Sequence, residues 1–314
     1  MAPSRSIVAI LAGACFLSVL MWCIGIHRLD VSDERWVAAV LQCQLGNQLW
    51  IMASSYGIAM ARKARWCVVD GEFYSYLRGL EWIVKPPESC PGLILGIPKV
   101  FSWNLYSFVR VDGGGYATYS DEFVNALQPR IDARNFLQSF KYFDKMTPIP
   151  FRLKSTPHAL AWVRMRHITT AIHVRRGDKM TDIGNVVPSL SYFHKALRML
   201  YFLFPGQHAF VVVTDDLAWV KAQVLFKGMH LLHSNDPLFD MAVISQCRHK
   251  IISIGTFGWW GAFLTDSGSN SSNAVIYPVP QMEGRYSSGM TYGDYFPQHW
   301  TAIDYMKGDD FFFV

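Results

Sequence analysis

Neither half of this 314-residue chain contains a G-x-G-x-x-G stretch or a Walker lysine loop, so the dinucleotide-oxidoreductase and P-loop readings lose their support. Charged residues are scarce, at 17%. The net charge is only +5 and no run of Lys and Arg is long enough to follow a phosphodiester backbone, which argues against nucleic-acid binding. The six cysteines include no zinc-like spacing, and no sequence repeat relates the two halves.

Apolar residues are plentiful, at 51%, with 15% aromatic, enough to fill the cores of roughly two domains. Ile7 to Ile26 is uncharged over a length that spans a hydrocarbon core as a helix, with Arg5 before it and Asp30, Asp33 and Glu34 after it. That pattern predicts an uncleaved signal-anchor at 7–26, a cytosolic tail at 1–6 and a short stem at 27–35. Everything beyond would then be lumenal. A cleavable signal peptide is the rival, but its apolar region is usually shorter and no clear small-x-small site follows. Cys43, Cys67, Cys90 and Cys247 lie past the anchor and permit up to two disulfides in three connectivities, while Cys15 and Cys23 fall within the span. Asn270-Ser271-Ser272 is a glycosylation sequon in a Ser/Gly/Asn-rich stretch that reads as a surface loop.

Strands and helices should alternate. Trp36 to Leu41 reads as a buried strand, Leu45-Gly46-Asn47-Gln48 as a turn, about 49–63 as a helix and Trp66 to Val69 as the next strand. Thr147 to Pro157 resembles a linker and sets a boundary between domains 36–157 and 158–314. In the second half the alternation predicts helices near 158–167, 189–203, 217–225 and 238–248, and one from Trp259. Strands are expected at 170–175, 209–213, 229–232 and 250–254. The pattern predicts a doubly wound parallel sheet with its ligand beyond the strands' C-terminal ends.

The dense charge lies at one such end. His173-Val174-Arg175-Arg176-Gly177-Asp178 follows an apolar strand, and two adjacent guanidiniums suit a diphosphate because each planar fork donates paired hydrogen bonds and stays charged. A nucleotide sugar is the ligand this suggests. Alone, His173 could be a satisfied core histidine. In Asp215-Asp216 after the next strand, one carboxylate could accept guanine protons while the other caps a helix; a metal ion is the alternative use. Gly255-Thr256-Phe257 turns into a helix whose free amides make a phosphate site, although glycine-bounded turns are also common structural elements. Gly46-Asn47 is the corresponding turn of the first half, where glycine permits close approach and Asn47 offers donor and acceptor. Asp240 reads as a helix N-terminal charge.

Taken in order, Leu45-Gly-Asn-Gln48, His173-Val-Arg-Arg-Gly-Asp178, Asp240-Met-Ala-Val-Ile-Ser-Gln-Cys247 and Ile254-Gly-Thr-Phe-Gly-Trp-Trp260 resemble the α-1,2-fucosyltransferase family, glycosyltransferase family 11. The likeness runs from about 36 to Trp300. It implies a GT-B-like pair of Rossmann-type domains facing a cleft, the second binding donor and the first the acceptor side. It further implies GDP-fucose as donor substrate, inversion at the fucose carbon, neither metal nor cofactor, and transfer to O2 of a galactose-terminated glycan. The membrane topology read above would make it a single-pass type II Golgi protein. By similarity to other H-x-R-R fucosyltransferases, Arg175 and Arg176 would neutralise the leaving diphosphate, His173 and Asp215 would hold guanine, and Thr256 and Phe257 would complete the phosphate cradle. Where the family usually reads Gly-Arg-Leu-Gly-Asn, this chain has Cys43-Gln44-Leu45-Gly46-Asn47. Asp178 is the first candidate for catalytic base, with Asp70 and Glu72 as alternatives on position. Two other functions stay open: a metal-dependent nucleotide-sugar transferase using Asp215 and Asp216, and an adhesion protein displaying Arg176-Gly177-Asp178.

Overall fold

The computed structural model describes residues 34–69, 77–90, 108–111, 113, 115–133, 135–143, 149–265 and 272–306. The expected anchor at 7–26, Cys15, Cys23, Asp70, Glu72 and Asn270 lie outside the described residues. Among those described, no helix is long and apolar enough to cross a membrane.

Thirteen strands are described: β1 Trp36–Val40, β2 Arg65–Val69, β3 Leu80–Trp82, β4 Glu88–Ser89, β5 Val109–Arg110, β6 Arg130–Ala133, β7 Phe151–Leu153, β8 Thr170–Val174, β9 Phe210–Thr214, β10 His230–Leu232, β11 His249–Ile251, β12 Val275–Val279 and β13 Thr301–Asp304. One sheet runs β4-β2-β1-β6-β5 and a second runs β10-β9-β8-β11-β12-β13, each pairing within them being parallel. The central strands are apolar runs because helices cover both faces of such sheets: Ala171, Ile172 and Val174 of β8 are fully buried, as are Val211 and Val212 of β9. In the second sheet the strand order reverses between β8 and β11, which is where a doubly wound sheet opens a crevice beyond its strand ends.

From Arg35 onward the chain forms one compact unit. A single apolar cluster runs through both sheets' helices, centred on Trp50 of the Leu45–Ala61 helix. The Trp50 ring lies 4.1 Å from Trp259, 5.4 Å from Trp260, 5.3 Å from Phe143 and 5.6 Å from Tyr295, centroid to centroid. Such aromatic contacts add to area burial because edges and faces of opposite partial charge meet. The Leu45–Ala61 helix is accordingly apolar on nearly every side: Leu49, Trp50, Ile51, Met52 and Ala53 are all fully buried.

Two sequence expectations change, and the open disulfide pairing is narrowed. Thr147 to Pro157 is not a plain linker, since β7 within it pairs antiparallel with β3 and a helix begins at Thr156. Of the permitted disulfides one is described, Cys67–Cys90, joining β2 to the residue after β4; Cys43 and Cys247 stay free thiols. Both helices preceded by glycine-containing turns start earlier than their apolar periodicity suggested, at Leu45 instead of 49 and at Thr256 instead of 259. Gly46, Asn47, Thr256 and Phe257 therefore occupy first helical turns, where backbone amides lack i−4 partners; the Asn47 amide instead donates to the Gln44 carbonyl at 3.0 Å.

Candidate functional site

The site grows from the end of β8. Arg175 sits between two carboxylates, with Nη1 donating to Asp215 Oδ2 and Nη2 to Asp178 Oδ1, each at 2.6 Å. The other Asp215 oxygen accepts the Arg176 backbone N–H at 2.8 Å. Asp215, expected to hold guanine, accepts one hydrogen bond on each oxygen from the arginine loop, because β8 and β9 are neighbours and their C-terminal ends bring the two loops together. Gly177 makes that approach possible, since a Cβ there would lie 2.5 Å from Asp215 Oδ2. Asp216 takes the expected capping role, accepting the Trp219 amide at 3.0 Å. It also faces Arg176 Nε at 3.4 Å. Among the described residues no group of three or more His, Cys, Asp or Glu is placed to hold an ion.

His173 lies beneath this loop. It is only 4% exposed, its ring packs 5.6 Å from Phe257, and a Cβ on Gly258 would meet its ring, with Cε1 at 2.9 Å. Burial, reinforced by Arg175, pushes its pKa down to about 3, so the imidazole is neutral at any working pH. Buried Nδ1 has no hydrogen-bond partner. His173 is thus a buried histidine with one unsatisfied nitrogen, packed under the start of the Thr256–Phe263 helix.

The Thr256 turn closes the set. Gly255, at φ 92°, adopts the left-handed conformation that lets the chain swing from Ile254 into the helix. A Cβ there would come to 4.0 Å from Arg175 Cγ. Thr256 Oγ1 donates to Asn47 Oδ1 at 3.1 Å, and Gln138 Nε2 donates to the same oxygen at 3.0 Å. Gly46 packs directly on Thr256, and a Cβ on it would lie 2.9 Å from the Phe257 amide nitrogen. The two first helical turns therefore meet, one from each sheet. All ten residues singled out in the sequence, His173, Arg175, Arg176, Asp178, Asp215, Gly255, Thr256, Phe257, Gly46 and Asn47, fall into one contiguous set.

Every cation of the set is paired, and the carboxylates outnumber the cations by four to three. Arg175, Arg176 and Lys179 face Asp178, Asp182, Asp215 and Asp216, with Lys179 Nζ 2.6 Å from Asp182. An incoming anion must therefore exchange partners with carboxylates instead of meeting bare cations. One residue escaped the sequence reading and another differs from it. Trp219 carries the Arg176 guanidinium, whose Cζ stands 4.1 Å above the indole centroid. Asp240, read as a plain helix charge, is half buried, its pKa is raised by that burial, and Oδ1 has no hydrogen-bond partner. The i+3 position of Trp219 after the capping Asp216 was the available signal.

A doubly wound α/β protein with a cationic loop at the point of strand-order reversal is the class that fold and site define. Sequence comparison adds that residues 163–303 match the family model of glycosyl transferase family 11. It is 28% identical over 132 residues to the O-antigen biosynthesis glycosyltransferase WbnK of Escherichia coli, covering 39% of this chain and 42% of that protein. It is 33% identical over 120 residues to galactoside alpha-(1,2)-fucosyltransferase 2 of Rattus norvegicus, covering 35% and 32%. Galactoside 2-alpha-L-fucosyltransferase SEC1 of Bos taurus is 27% identical over 217 residues, covering 64% and 50%. The matched regions thus span half or less of each relative's length.

Proposed function

We propose that this chain is an inverting fucosyltransferase, moving L-fucose from GDP-fucose to O2 of a terminal galactose on a glycan without a metal ion. The carrying observation is the Arg175–Arg176 loop at the strand-order reversal of the second sheet, inside the stretch that matches glycosyl transferase family 11 and beside the Gly255–Phe257 turn, on which Gly46 and Asn47 pack. Departure of GDP builds negative charge on its β-phosphate, and donors already fixed in place stabilise that charge without reorganising. Arg176 supplies a cation already in place and Arg175 a second one once a phosphate displaces a carboxylate from it; the free amides of the Thr256 turn add partial positive charge from a helix N-terminus. Asp215 serves the donor through the arginines it holds. Asp178, 56% exposed at its side chain and paired with Arg175, is the carboxylate placed to take the acceptor's proton once a phosphate claims that arginine.

In this reading the two sheets form a GT-B-like pair, with 36–157 on the acceptor side and 158–314 binding donor. Residues 7–26 anchor a single-pass type II protein whose catalytic part faces the Golgi lumen. The Cys67–Cys90 disulfide supports an oxidising compartment. The test is to incubate the full chain in detergent with GDP-fucose and galactose-terminated acceptors in excess EDTA, measuring GDP release and fucosylated product. Product linked at galactose O2 is expected. Activity that needs an added divalent cation would remove the metal-free mechanism, and no turnover with any galactose-terminated acceptor would remove the function.

A further inference from the structure

The two arginines of the loop are held in different ways. Arg175 has both terminal nitrogens bonded to carboxylates at 2.6 Å. Arg176 has one face on the Trp219 ring and its Nε, at 3.4 Å, on Asp216, while its terminal nitrogens make no bond to another described side chain. Its side chain is 15% exposed.

These contacts close a circuit. Asp216 receives the Trp219 amide on Oδ1 and faces Arg176 Nε through Oδ2, so one carboxylate fixes both the helix start that carries the indole and the guanidinium lying on it. Asp216 is itself oriented by its backbone N–H, which donates to Thr214 Oγ1 at 2.9 Å at the end of β9. The indole is backed by Phe193 and Phe226, with centroids 6.4 and 6.1 Å away. Arg176's backbone is tied separately through Asp215. A guanidinium covered on one face and engaged at Nε retains its edge of two terminal nitrogens, the edge that matches paired phosphate oxygens.

We propose that Trp219 and Asp216 are positioning residues that hold Arg176 as the preset phosphate-binding arginine, whereas Arg175 must first exchange a carboxylate. This rests on the donor-site reading given above. The ligand class is the phosphate groups of a nucleoside diphosphate. Trp219 touches the arginine and not the donor, and acts through it.

The test is a double-mutant cycle in the full chain, with GDP as the calorimetric probe, donor and acceptor KM measured separately, and Tm recorded for each variant. Trp219→Ala is expected to weaken GDP binding and raise donor KM about tenfold, the scale of a partly desolvated cation–π contact, with acceptor KM unmoved. Trp219→Phe, which keeps a flat face, should recover most of the loss. In an Arg176→Ala background, Trp219→Ala should cost nothing further. Equal losses in both backgrounds would overturn the proposal, as would a fall in Tm with GDP affinity unchanged. Failure of the wild-type chain to bind GDP would sink the donor-site reading instead. The circuit is then judged by the Tm cycle, where additive shifts from Arg176→Ala and Trp219→Ala overturn it and coupled shifts uphold it.

Discussion

The two parallel sheets each end a central strand at the candidate site, yet only one brings charge there. After β8 come two arginines and an aspartate; after β1 comes Cys43 to Asn47, with no charged residue. The second sheet supplies the electrostatics and the first supplies proximity, through a glycine with no Cβ and an asparagine bonded to Thr256. Their means of stabilisation differ as well. The first sheet has two-residue strands at both edges and a disulfide securing one of them, whereas the second shows no bridge among the described residues. A charged site needs a rigid base because its donors must stay aimed. A surface that only has to approach closely needs the right shape.

The sharpest way to break this comparison is Arg175→Ala. Removing one fixed donor from a developing oxyanion typically costs about 10²–10³ in kcat, and transfer should fall by that amount while Tm changes little. A loss under about tenfold would mean that the second sheet does not carry the electrostatics. Next in size is the disulfide. Closing 23 residues of chain is worth roughly 3 kcal/mol in the loop-entropy account, so Cys67→Ser with Cys90→Ser should lower stability on that scale. Limited proteolysis should then find new cuts in the first sheet and none in 149–265; uniform cutting would show that the two sheets do not differ in this way. Smallest is Gly46→Ala, which forces a methyl against Thr256 and the Phe257 amide, at a cost of about 1–3 kcal/mol. It should raise donor KM more than acceptor KM. An unchanged KM for both would remove the first sheet from the donor site.

The two strands that carry the site in the second half were legible almost to the residue, whereas Val275–Val279 and Thr301–Asp304 were not foreseen and the strand expected at 250–254 is His249–Ile251. Strands expected at 170–175 and 209–213 are observed at Thr170–Val174 and Phe210–Thr214, because a strand buried on both faces must be an apolar run bounded by polar turns. The first half was less so. β7 is short and sits among prolines, and its partner β3 lies some seventy residues earlier, so no local period announces it. The starts of the Leu45 and Thr256 helices were missed for one reason: their first turns hold glycine and polar residues, chosen for what they touch and not for helix propensity. Trp219 was passed over because an aromatic ring three residues after a helix cap reads as core, and two of its three ring neighbours are indeed core phenylalanines.

By itself the sequence determined the alternation of parallel strands and helices, the strand end that would carry the charge, and which residues would gather there. Those properties follow from local hydrophobic period and from residue chemistry, both written in consecutive positions. Only the tertiary structure decided how the gathered residues are paired: that Asp215 grips Arg175, 40 positions away, that Asn47 reaches Thr256, 209 positions away, and that His173 is sealed under Gly258. Two carboxylates and two arginines at neighbouring strand ends permit several pairings of similar local plausibility, and the packing of the strands and helices beneath them selects one.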